Sequence, residues 1–233
     1  MKKTIVSIVA ISCAVAAFAA PRVAPGAMPG AEGGAVAQGR EAKVNIDQFP
    51  KTGQASALSA PQVQGQTTVG KCYQKPRKWL VFELKYTTFV KWQDQLMFTW
   101  HILLESKSAT EKDREDEKAP YSYYTTSVTY SNIPQGSHAA CVVLPPSILE
   151  RYGYAKAIGV VISNKNGDVL GGDSISEVSG IKAGSMWWND NEIMNAKDKK
   201  TGGPMIETRQ GLLERSKTIW GLVNPNDYEI VEM

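Results

Sequence analysis

Of the chain's two histidines, His138 stands three residues before Cys141, one of only three cysteines. A histidine beside a cysteine suggests a thiolate nucleophile and its base, so QGSHAACVVLPP, residues 135–146, is the first place to look for catalysis. The run AACVVL reads as a strand, and the period of two in a strand sends side chains three positions apart to opposite faces. A strand that already begins at His138 therefore separates the imidazole from the thiol. For Cys141 this leaves a disulfide with Cys72, an unpaired buried thiol, or chemistry with His101, the other histidine.

The remaining constellations are weaker. A zinc site built from Cys72, His101, His138 and Cys141 would lack the close ligand pairs that such sites use. Gly172-Asp173-Ser174 resembles a serine nucleophile block, but no histidine follows His138 to serve as its base. No acidic residue is singled out as one of a glycosidase pair. Trp187-Trp188 and Trp92 are the candidate surface contacts, since tryptophan suits both sugar stacking and the centres of protein interfaces. No catalytic residue, metal or cofactor is expected.

Compartment follows from the first segment, MKKTIVSIVAISCAVAAFAAP: two lysines, an apolar run, then Ala17-Phe18-Ala19. It reads as a signal peptide over residues 1–19, cleaved after Ala19. Ala10-Ile11-Ser12-Cys13 leaves a lipid-modified Cys13 as the alternative. Export predicts a protein of the periplasm, outer membrane or cell surface. In an oxidising compartment the two remaining cysteines, Cys72 and Cys141, are most simply one disulfide. Its closure would contribute roughly 4 kcal/mol on the chain-entropy account. The formal charge of +3 falls to +1 without Lys2 and Lys3, which argues against a nucleic-acid partner.

Residues 20–70 are rich in Ala, Gly, Pro and Gln, and all six tryptophans and nine tyrosines follow Gly70. The first stretch reads as a flexible linker with too little to bury, although Val44 to Phe49 could dock as a strand. The second, 71–233, reads as the folded domain. In KWLVFELKYTTFV the even positions Leu80, Phe82, Leu84, Tyr86 and Val90 are apolar, and in LMFTWHILL Leu96, Phe98, Trp100, Ile102 and Leu104, so each predicts a strand with one buried face. A turn at Lys91 to Gln95 would make them a hairpin, with His101 facing solvent. YSYYTTSVTYS and AACVVL predict two further strands. A short helix follows, capped by Ser147 and closed by Gly153. IGVVIS and VLGGDSIS form a hairpin around Asn164 to Asp168, with Gly171-Gly172 as a bulge or twist point. ETRQGLLERSK predicts a helix with Leu212 and Leu213 inward, and DYEIVEM a final strand. The charged run at 105–118 reads as an exposed loop.

TTFVKWQDQLMFTWHILLESK together with SMWWNDNEIMNAKDKKTGGPMIETR resembles the immunoglobulin-like secreted proteins associated with type IV pilus gene clusters in Akkermansia-type gut bacteria. The likeness spans roughly residues 71–233. It implies a mainly β fold, an immunoglobulin-like β-sandwich with one or two short helices, and a role in pilus assembly or at the cell surface. It carries over no catalytic residue. The leader lacks a pilin processing site, so an accessory component is expected. Its partners would be other envelope or pilus-assembly proteins, or a second copy of the chain. The rival expectations are a carbohydrate-binding module for mucin-like glycans acting through Trp187, Trp188 or Trp92, and a hydrolase using scattered carboxylates.

Overall fold

The computed structural model describes residues 44–52, 56–59, 77–106, 119–199 and 202–223. The fold is built on two long strands, β3 (Lys78–Glu105) and β4 (Tyr121–Leu144), which pair antiparallel over almost their full length. Short strands line this ribbon. β1 (Val44–Gln48) and β2 (Ser56–Ser59) pair with the first half of β3. β5 (Tyr154–Asn164) pairs with its second half and carries β6 (Val169–Ser176) beyond it. On the other side, β7 (Ile206–Arg209) runs parallel to the start of β4, and β8 (Leu213–Glu214) pairs with its end. The mainly β expectation is met, and the helices are short: α1 (Pro146–Tyr152) and α2 (Asn191–Met194).

The hairpin expected at residues 91–95 does not form, because β3 runs straight through them as one strand. Its 28 residues contain no Gly, Pro or Asn, and Asp94 alone cannot supply the two consecutive positive φ angles of a type I′ turn. A bulge forms instead. Thr88 faces Gly136 and Trp92 faces Pro134, so three residues of β3 oppose the single Gln135 of β4. The partner strand adapts through Asn132 at φ 54° and Gly136 at φ 139°. Pro134, with no N–H to give, sits where the ladder is already interrupted. The two strands expected at YSYYTTSVTYS and AACVVL are therefore one bulged strand, β4.

The bulge lets a single sheet fold over one core in a sandwich-like arrangement. Phe82, Leu84 and Tyr86 from the first half of β3 and Leu96, Phe98, Trp100, Ile102 and Leu104 from the second belong to the same buried cluster, with Val44, Tyr130 and Ile162. β1 and β6, which flank different halves of β3, approach so closely that a Cβ on Gly171 would lie 3.5 Å from the Val44 carbonyl oxygen. Residues 44–48 and 56–59, inside the segment read as a linker, thus belong to the sheet. β1 lends Val44, and Ile46 beside it, to a core made elsewhere, and β2 is held by its pairing with β3.

A second buried cluster covers the outer face of the sheet. Leu103, Tyr123 and Ala157 lie there beneath Ile181 and Trp187, with Val178, Ile193 and Ile206 packed around them. Burial is consequently continuous over residues 101–104 and 157–160.

Elsewhere the local corrections are small. α1 starts with Pro146 as its first residue and has no side-chain cap, so Ser147 is inside the helix. Gly153 closes it at φ 87° as expected. The β5–β6 hairpin turns through 165–168, and its register slips beside Gly171. The helix expected at 207–217 is replaced by β7, β8 and a 3₁₀ turn at Arg215–Lys217. Gly211 at φ 126° explains the break, since a left-handed residue cannot continue a right-handed helix. The strand expected at 227–233 and the loop tip at 107–118 lie outside the described residues.

Trp100 is fully buried, and its indole N–H has no partner among the described residues. Trp100→Ala is expected to cost about 3–5 kcal/mol through the cavity it leaves. Trp100→Phe should cost far less, because it also removes an unsatisfied donor. Urea denaturation of the two variants measures both.

Candidate interaction surfaces

The sequence-predicted residues fall into three places. Cys141 is half-buried on β4 and faces Glu83, while His138 faces Tyr86. Residues directly opposite in a ladder share a face, so the imidazole and thiol leave opposite sides of the sheet. The His138 Nε2 lies 2.8 Å from the Pro134 carbonyl oxygen, and its ring packs 5.5 Å from that of Tyr86. It therefore braces the bulge. Cys72 lies outside the described residues, and with it the expected disulfide.

The second place is the outer cluster, where Trp187 and Trp188 serve packing. Trp187 is 1% exposed and meets Tyr123 edge-on at 5.8 Å, so it is no surface contact. Trp188 is half-buried and lies flat on His101, with ring centroids 4.2 Å apart and planes 4° from parallel. The ring also covers Gly159, where a Cβ would come within 2.0 Å of it. Only glycine leaves room for this close approach. Asp190 fixes the segment from below by accepting the backbone N–H groups of Glu192 and Ile193 at the start of α2. The near-continuous apolar runs HILL and AIGVVI are the sequence signal for this second layer, since a strand buried on both faces loses its alternation.

His101 is accordingly buried and does not face solvent. Its Nδ1 lies 2.6 Å from the Tyr123 hydroxyl, and burial lowers its pKa from 6.5 to about 4. Ser174 is also structural, for its hydroxyl donates to the Ser185 carbonyl at 2.8 Å and ties β6 to the covering segment. Among the described residues no three His, Cys, Asp or Glu side chains gather where they could hold a metal.

The third place is the bulge itself. Phe89 is 56% exposed and Trp92 59%. Trp92 stands over a cleft between β3 and the β5–β6 turn. Of the expected contact residues, it is the most exposed.

Burial of neutral His101 gives stability a specific pH dependence. Above pH 6.5 the group is neutral in both states and contributes no slope. Between pH 6.5 and about 4 the unfolded chain takes up a proton that the folded chain refuses, so stability falls as pH drops. The loss approaches roughly 3 kcal/mol by pH 4. His101→Phe, which keeps a flat ring under Trp188, is expected to remove this part of the acid slope in urea titrations at successive pH values. An unchanged slope would contradict the assignment.

Comparison with known proteins bears on fold and family. No curated protein matches the chain significantly. A crystal structure of a protein from Akkermansia muciniphila is similar over 82% of this chain and 95% of that one, at 19% identity and a TM-score of 0.56. At this identity the likeness is one of fold. A β-D-glucoside glucohydrolase from Trichoderma reesei aligns with 58% of this chain and 19% of its own length at 11% identity, but its TM-score of 0.25 carries no argument. A protein-family model matches residues 35–218, a span that holds β1 through β8 and both cores. The chain belongs to the family that this model defines, and its fold is similar to that of the Akkermansia muciniphila protein.

Proposed function

We propose that the protein is a non-enzymatic, exported envelope component, an immunoglobulin-like β-sandwich that serves a type IV pilus-like assembly through protein–protein contacts in the periplasm or at the outer membrane. Family membership and the Akkermansia fold likeness support this reading. The observation that carries it is a stretch of strand edge that no described strand covers. β7 covers β4 at Tyr121 to Tyr124, and β8 covers it at Val142 and Val143. Between them, Thr125 to Thr129 pair with β3 on one side and with no described strand on the other.

Five residues make a strand of ordinary length. Thr-Thr-Ser-Val-Thr has high strand propensity and none of the usual edge defences, neither proline nor lysine nor a bulge. Such an edge accepts a partner's strand through backbone hydrogen bonds. A second copy of the chain could supply that strand as well as a pilus component could. The glycan reading through Trp187 and Trp188 loses its basis, because both rings are engaged in packing.

Cross-linked pull-downs from envelope extracts test the proposal. The wild-type chain is expected to recover pilus-assembly or outer-membrane components. Thr125→Lys combined with Ser127→Lys should reduce that recovery severalfold while leaving the melting temperature almost unchanged. Recovery of no envelope component, or equal recovery by the double variant, would refute it.

A further inference from the structure

Trp92 stands beside a cleft of about 220 Å³ whose walls come from two elements. β3 contributes Trp92, Asp94 and Gln95, and the β5–β6 turn contributes Asn164, Lys165 and Asn166. The walls are tied together by Lys165 Nζ on Asp94 Oδ2 at 2.9 Å. The turn is held from within. Asn164 Oδ1 accepts the backbone N–H groups of Asn166 at 2.8 Å and Asp168 at 2.9 Å. Its amide nitrogen donates to the Asp168 carboxylate at 2.8 Å. Asn164 is thereby committed to the turn, while Asp94, Lys165 and Asn166 line the cleft together with Trp92.

This combination selects among ligands. A protein hot spot is an apolar anchor in surroundings that give up their water readily, whereas here a carboxylate, an ammonium and amides would all have to be desolvated. A simple anion meets Asp94 and a simple cation meets Lys165. A neutral polyol suits both, since each hydroxyl can donate to the carboxylate and accept from the ammonium. A pyranose adds the missing property, an apolar C–H face that lies flat on an indole. The cleft is smaller than the roughly 300 Å³ at which ordinary ligand pockets begin, which fits one ring.

We propose that this cleft binds a single neutral hexopyranose, stacked on Trp92 with its hydroxyls shared among Asp94, Lys165 and Asn166. The site is independent of the β4 edge and would let an envelope protein hold the terminal sugar of a glycan.

Saturation-transfer NMR on the full chain tests this with galactose, N-acetylgalactosamine and N-acetylglucosamine, each free and at the end of an oligosaccharide. At least one sugar is expected to bind in the millimolar range. Trp92→Ala should weaken it by about tenfold or more, Asp94→Ala should weaken it less, and Trp92→Phe should retain part of it. Trp92 is exposed, so thermal melting should show these variants folded. Tighter binding of the oligosaccharide would support a glycan end as the ligand, and equal binding a free sugar. No transfer from any of the sugars, or transfer that survives Trp92→Ala unchanged, would overturn the proposal.

Discussion

Between Thr88 and Trp92 the β3–β4 ladder gains two residues on one side and none on the other. A two-stranded ribbon of this length would otherwise continue as a twisted plank, with an apolar face too large to cover from one end. The bulge folds that face inward on itself. Phe82 and Tyr86 can then share a core with Phe98 and Trp100, though they sit on the same strand. The bulge is held by hydrogen bonds that the interrupted ladder leaves available: the Thr88 hydroxyl donates to the Pro134 carbonyl at 2.8 Å, and His138 lies against the same oxygen. Backbone groups freed by an irregularity must find partners, and these two side chains meet the need.

The end of β3 carries a further constraint, for residues 101–104 are buried on both faces. One side enters the common core and the other is covered by Ile181, Trp187 and Trp188. Gly159 lets Trp188 lie flat, and Trp188 in turn removes His101 from water. A neutral histidine between an indole and a tyrosine hydroxyl is well packed but sensitive to acid. Beyond the bulge the ladder resumes at Trp92, opposite Pro134, and the neighbouring β5–β6 turn supplies the polar wall of the cleft beside it.

Alternation made the core face of β3 legible in sequence, because its common-core residues on either side of the bulge, Phe82 to Tyr86 and Leu96 to Leu104, fall on even positions. The same regularity concealed the architecture. Two apolar runs separated by the polar KWQDQ look like a hairpin, and only the lack of Gly, Pro or Asn there, with Asp94 as its single turn former, argues for one strand. Trp187 and Trp188 could not be placed, since adjacent aromatics serve a surface or a core equally well. His101 was misplaced because one-sided burial was assumed for a strand that is covered twice. β1 and β2 lie in a segment whose composition suggests a linker, and their order comes from the long strand beside them. Asp94 and Lys165 are 71 residues apart in the chain, and nothing local in sequence announces that they share a cleft with Trp92.

All of this rests on β3 being one bulged strand, and backbone NMR contacts test that most directly. Cross-strand Hα–Hα and amide contacts should join Leu96 to Tyr130 and Tyr86 to His138, with Gln93 and Gln95 contacting Ile133 and Ser131. No backbone contact should link residues 80–88 to 96–104. Backbone contacts between those two runs, with Leu84 opposite Ile102, would mean a hairpin turn at 91–95 and would contradict the account.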